Sequence, residues 1–108
     1  MTTPFVDSLR SDGDVIHLEV SGGDALQIRV QSAELWRTVR VVVASWQLVG
    51  SVKAAALEAF FPDGVDGSDF MVKLHGFEIL HEDSSLAFVG VRNGSTLLLT
   101  HRRRRPVR

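Results

Sequence analysis

The chain has 108 residues, no cysteine, 44% hydrophobic residues and a formal net charge of −1. That length suits one domain whose core needs no covalent staple, and the absence of cysteine excludes disulfides and thiolate chemistry. The near-neutral total hides an asymmetry, because residues 1–100 carry seven Lys or Arg against thirteen Asp or Glu while 102–108 carry five arginines and no acid. An acidic domain with a basic, disordered tail at 102–108 is expected. No apolar run approaches the roughly 20 residues that span a bilayer. The opening MTTPFVDSLRSDGD lacks the basic start and apolar stretch of a signal peptide. An intracellular location, cytoplasmic or nuclear, with no membrane contact is therefore expected.

Residues 1–14, polar and ending in Ser-Asp-Gly-Asp, are expected as a flexible N-terminal arm. VIHLEV (15–20) alternates Ile16, Leu18 and Val20 against Val15, His17 and Glu19, and SGGD turns the chain toward ALQIRV. Two readings diverge here. In one, 26–30 is a strand pairing with 38–43 across the loop QSAELWR, and 15–20 is an extra strand. In the other, VIHLEV and LQIRVQ form a hairpin and Ser32 caps a helix, SAELWRTVRVVVASW. Trp36, Val39, Val43 and Trp46 then lie along one face of that helix, and 47–69 is an insertion with a second helix. Propensity favours the first reading, since TVRVVV concentrates β-branched residues and KAAALEAF is a strong helix composition.

On that reading Ser51 is the N-cap candidate, and Val52, Ala55, Ala56, Ala59 and Phe60 form the stripe that packs on the sheet. Pro62 ends the helix. PDGVDGSD is an acidic solvated loop, without the ligand order and closing Glu of a calcium loop, so no metal is expected. Phe70–Leu74 reads as a strand stopping at Gly76, with 77–80 as a short return strand. In HEDSSLAFVGV, Ser84 or Ser85 caps one turn, expected as 3₁₀, that directs Leu86 and either Val89 or Val91 inward. Arg92-Asn93-Gly94 is a tight turn, and STLLLT leaves as a strand with Leu97 and Leu99 on one face and Thr96, Leu98 and Thr100 on the other.

Catalytic chemistry finds little support in these residues. The sequence has no glycine-rich phosphate loop opening a helix, no H-E-x-x-H and no serine elbow, so neither an enzyme nor a cofactor is expected. His17, His75, His81 and His101 are scattered; His75 and His81 flank the return strand without a third ligand at metal spacing. Glu82 and Asp83 read as solubilising loop acids with no base nearby. Trp36, in the predicted hairpin loop, is the better anchor candidate of the two tryptophans.

The closing pattern, a Leu, an Asn-Gly turn and Ser-Thr-Leu-x-Leu, resembles the last third of the ubiquitin-like β-grasp proteins. TVRVVVASWQLVGSVKAAAL (38–57) is similar, without a gap, to their second strand and helix, with Val49, Val52 and Lys53 on the helix's apolar-x-x-apolar-Lys opening. The resemblance covers roughly 25–101 and implies an α+β fold, a β-grasp roll with a mixed four- to five-stranded sheet and one main helix across it, in a domain running over 15–101 with 15–20 as the extra strand. It also implies either an activated modifier ending in Gly-Gly or a non-covalent interaction domain. Arg104, Arg105 and Pro106 stand where that Gly-Gly would lie, which points to the interaction domain, of adaptor type and monomeric. Lys73, Leu98 and Thr100 replace the family's apolar contact patch, so a different protein partner is expected to be read through Lys73, His75, Leu98, Thr100 and Trp36. SSLAFVGVRNGS also resembles the ubiquitin-like domain in the largest subunit of a spliceosomal splicing factor, where a basic tail engages RNA. The alternative that follows is RNA binding through Arg102, Arg103, Arg104, Arg105 and Arg108.

Overall fold

A computed structural model describes residues 15–22 and 24–102. The expected N-terminal arm and the arginines at 103–105 and 108 lie outside the described residues.

Among the described residues six strands form one mixed sheet: β1 (Val15–His17), β2 (Ala25–Ser32), β3 (Arg37–Ala44), β4 (Phe70–Leu74), β5 (Phe77–Glu78) and β6 (Thr96–His101), in the order β1-β3-β2-β6-β4-β5. Helix α1 (Val49–Phe60) packs across one face, and α2 (Leu86–Val89) is a single turn. The two longest strands, β2 and β3, form an antiparallel hairpin with Val30 opposite Val39 and Leu26 opposite Val43. Strand alternation puts Val39, Val41 and Val43 wholly inside against α1, and the branched side chains suit that half-buried pleat. The alternative helix over 32–46 is thereby excluded. β6 lies parallel to β2 and antiparallel to β4, so the last strand occupies the centre of the sheet.

The extra strand at 15–20 exists but is shorter, and it pairs parallel with β3 instead of forming a hairpin with β2. The turn at Ser21-Gly22 carries the chain from β1 to β2, which lies on the far side of β3. With β1 added, the sheet has six strands where four to five were expected.

Three local expectations need correction. Ser51 is inside α1, not its cap: Leu48 holds the cap position and makes no side-chain bond. The helix's free donors go instead to the backbone of the 82–85 loop, Val49 N–H to the Ser84 carbonyl at 2.9 Å and Gly50 N–H to the Glu82 carbonyl at 2.7 Å. A carbonyl already in place leaves a capping hydroxyl nothing to do. The buried stripe of α1 is Val49, Val52, Lys53, Ala56, Leu57 and Phe60, with Ala55 and Ala59 only partly covered. Finally, α2 is an α-turn and not 3₁₀. Ser85 Oγ accepts from Phe88 N–H at 3.1 Å, and Val89 N–H reaches the Ser85 carbonyl at 3.2 Å. Gly90, at φ 98°, then closes the turn as Val91 N–H bonds the Leu86 carbonyl, a Schellman end that glycine's left-handed freedom permits. Leu86 and Val91 are thereby buried as predicted.

Candidate functional site

The outer face of the sheet, opposite α1, carries three of the predicted contact residues. Lys73 on β4 lies opposite Leu98 on β6, and Leu98 in turn lies beside Gln31 on β2. Thr100 pairs with Met71 one step along, and its hydroxyl donates to Glu34 at 3.4 Å. All three are half-buried. Gln31 and Glu34 beside them are polar while Met71 is not, and Leu98 is the apolar member of the trio.

The remaining two sit at opposite ends of this face. Trp36 belongs to the β2–β3 turn, which forms because Ser32 Oγ accepts from Leu35 N–H at 3.1 Å and the Ser32 carbonyl from Trp36 N–H at 3.0 Å. Its side chain is 86% exposed and its backbone is left-handed, φ 56°. His75 occupies the β4–β5 turn with Gly76, at φ 55° and 86°. Antiparallel pairing sets Phe70 beside His101 and Leu74 beside Leu97, so the Trp36 turn and the His75 turn are a strand's length apart.

Arg102, assigned in advance to the disordered tail, is instead fixed to the domain. Its backbone N–H bonds the Asp69 carbonyl and its guanidinium meets Glu78 at 2.9 Å across β4. The guanidinium also lies 3.4 and 3.5 Å from the Ser68 and Phe70 carbonyls. That leaves it fewer donors for a phosphate.

Sequence reasoning missed a cluster of exposed apolar side chains. Phe77, Leu80 and Phe88 are 77%, 73% and 79% exposed and line one groove of about 420 Å³. Each is placed by a local rule. Phe77 shares a face with its partner Leu74 but lies on the outermost strand. β5 stops at Glu78, so Ile79 turns in and Leu80 turns out. In α2, Leu86 and Val89 lie three apart and face the core, which drives Phe88 outward. Once Ser85 is accepted as a cap, that last placement is legible in SLAFV. His75 and His81 both line this groove, yet among the described residues no group of three or more potential ligands is placed to hold a metal ion. Trp46, by contrast, is committed, its indole N–H donating to the Ser21 carbonyl at 3.0 Å. Among the described residues no helix is long and apolar enough to cross a membrane.

No family model matches the sequence, and no curated protein is significantly similar to it. Solved structures do match by shape. A ubiquitin-like domain of an Arabidopsis thaliana protein superposes with a TM-score of 0.63 at 13% identity, covering 85% of this chain and 93% of that one. The ubiquitin of Caldiarchaeum subterraneum gives 0.62 at 18% identity, covering 78% and 98%. A protein designed de novo on ubiquitin gives 0.62 at 23% identity, covering 81% and 100%. The chain therefore has the ubiquitin-like β-grasp fold, with a sixth strand added at the β3 edge.

Proposed function

We propose that this is a non-covalent protein-interaction domain of adaptor type, neither a conjugated modifier nor an enzyme, which docks an apolar segment of a partner protein in the Phe77–Leu80–Phe88 groove. The carrying observation is the exposure of these three large side chains together, since contiguous apolar surface on a small domain costs solubility and marks an interaction site. Buried aromatic anchors at the centre of a contact supply most of its affinity. Lys73, Leu98 and Thr100, on the sheet face away from Leu74 and Phe77, and Trp36 at the far turn add a second contact, with His75 lining the groove at the β4–β5 turn between the two faces. Arg104, Arg105 and Pro106 support the non-covalent reading, because activation of a modifier threads a slim glycine terminus through its enzyme.

Two variants test this in pulldowns with the full chain, Phe77→Ser/Phe88→Ser for the groove and Lys73→Glu/Leu98→Asp for the sheet. Loss of partners with the first variant, and weakening with the second, is expected. Both should keep the wild-type amide spectrum, because none of the four side chains is fully buried. Partners retained by the groove variant would show the docking site to be wrong. Incubation with an activating enzyme and ATP should give no adenylate; an adenylate would return the chain to the modifier class.

A second reading, RNA binding, is favoured by the run of arginines at 102–105 and 108. In that case deleting 103–108 abolishes RNA binding, and affinity falls by about 0.7 logarithmic units per phosphate contacted on a single strand for each tenfold rise in salt. Binding that ignores both salt and the deletion removes this reading.

A further inference from the structure

The outer face of the sheet holds a second feature, far from the groove and unused by it. Arg29 on β2 lies directly opposite Arg40 on β3. The hydrogen-bond phase of the hairpin brings them closer still. Ser45 N–H bonds the Asp24 carbonyl and Trp36 N–H the Ser32 carbonyl, so the even-numbered residues of β2 bond toward β3, while Arg29 N–H turns away to the Ser95 carbonyl before β6. Arg29 and Arg40 are therefore a non-hydrogen-bonded pair, the kind whose Cα atoms approach to about 4.5 Å and whose side chains crowd most.

Like charges in that position are destabilising. Yet neither guanidinium has a hydrogen bond or ion pair to any described residue, and both are exposed. Their described neighbours on the face, Val15 beside Arg40 and Thr96 beside Arg29, carry no charge. The two side chains line a pocket of about 210 Å³ with Gln27, Asn93 and Gly94. Asn93 is fixed there, its Oδ1 accepting from Gln27 N–H at 2.8 Å, which leaves its amide N–H₂ group as a further donor at the site.

We infer that this pocket binds a phosphomonoester on a partner protein, a phosphorylated serine or threonine. Two planar, permanently charged forks side by side match a phosphoryl group of about −1.5 to −2 charge, so one ligand neutralises both arginines and removes their repulsion. The pocket's volume suits a phosphoryl group more than a nucleotide, whose sites start near roughly 300 Å³. A nucleic-acid diester brings one charge per phosphate, and the outer-face residues of the strands that flank the pocket include no aromatic ring on which a base can stack. The inference rests on the reading of the domain as a protein-binding module, but not on the groove.

The test is an amide-shift titration of the full chain at constant ionic strength. The probes are N-acetyl-phosphoserine methylamide, its unphosphorylated counterpart, inorganic phosphate and oligouridylate. The phosphoserine probe, and not its counterpart, should shift Arg29, Arg40, Asn93 and Gly94. Arg29→Ala or Arg40→Ala should weaken that binding at least tenfold without lowering the melting temperature, since each removes a repulsion. No shift at these amides, tighter binding of the free ion than of phosphoserine, or a lower working concentration for oligouridylate would each overturn the assignment. The Phe77→Ser/Phe88→Ser variant should bind the phosphoserine probe like wild type, so failure of the groove and failure of this site are read separately.

Discussion

The Lys53 ammonium lies 2.9 and 3.1 Å from the two carboxylate oxygens of Glu82, joining the buried face of α1 to the loop whose carbonyls cap that helix. The lysine is 7% exposed, and the Glu82 side chain is about a quarter accessible. One residue thus does two jobs, its backbone accepting Gly50 N–H while its carboxylate neutralises the only buried charge among the described residues.

Removing the two partners should have unequal effects. Glu82→Ala strands a buried ammonium, and a loss of about 2–3 kcal/mol is expected, below the 3–5 of a fully buried pair because Glu82 keeps some solvent. Lys53→Met keeps the apolar stem and leaves the acid at the surface, so it should cost under about 1 kcal/mol. The double variant Lys53→Met/Glu82→Gln should recover most of the Glu82→Ala loss. Urea denaturation decides; equal losses for the two single variants would mean that the pair is merely a surface contact.

Trp36 and His75, both assigned to partner contact, share a backbone oddity in their φ values of 56° and 55°. A left-handed conformation costs an ordinary L residue roughly 1–2 kcal/mol, and asparagine tolerates it far better. Trp36→Asn and His75→Asn should therefore each raise stability by about 0.5–1 kcal/mol, the second by creating the Asn-Gly pair that tight hairpins favour. Both side chains are exposed, so little packing is lost. The same substitutions should weaken partner capture, a trade-off seen when strained turns serve binding. Thermal melts that fall in place of rising would show that these side chains support the fold.

Asp66 gives a pH signature. Its carboxylate accepts from Ser68 N–H and from the Ser68 hydroxyl, at 3.0 and 2.8 Å, and chiefly the backbone bond holds its pKa below the ordinary 3.8. A lowered folded-state value means the turn is stabilised above the unfolded pKa and loses that contribution as pH falls through the folded one. Carboxyl shifts should accordingly show Asp66 titrating below 3.8, with the Gly67–Asp69 turn loosening in the same range. Asp66→Asn should abolish that low-pH step and leave stability at neutral pH little changed, because the group is fully exposed.

Much of this was readable from local chemistry. TVRVVV against KAAALEAF was enough to choose strand over helix, because branched side chains and alanines differ in what each backbone costs them. The closing strand and the faces of Leu97 to Thr100 follow from period-two alternation, and the Asn-Gly turn before them from the positive φ that those two residues tolerate. What escaped was whatever depends on residues distant in sequence. Strand β1 was visible, but nothing near it says that it pairs with β3, since adjacent strands ordinarily form hairpins. Glu82 looked like a solvated loop acid because its base, Lys53, lies in α1 on the other side of β4 and β5. Ser51 looked like a cap because the carbonyls that replace it come from 31 or more residues downstream. The groove was missed for a related reason. Phe77, Leu80 and Phe88 each sit in an apolar context that normally means burial, and only the edge position of β5 and the single turn of α2 leave them outside.

The opposed arginines yield a stability prediction that holds with or without a ligand. Arg40→Glu replaces a repelling cross-strand pair with an attracting one on the exposed face of β2 and β3, and such pairs are worth about 0.2–1 kcal/mol. The hairpin should gain about that much, and the gain should shrink as salt rises, because exposed charges are screened over about 10 Å at 0.1 M. Arg40→Gln should fall between the two. Wild type should close the gap when phosphate replaces chloride at equal ionic strength, since a bound dianion does for the pair what the glutamate does covalently. A melting temperature that is unchanged by Arg40→Glu at low salt would mean that the guanidiniums splay apart into solvent, and the repulsion argued from their register would then be absent.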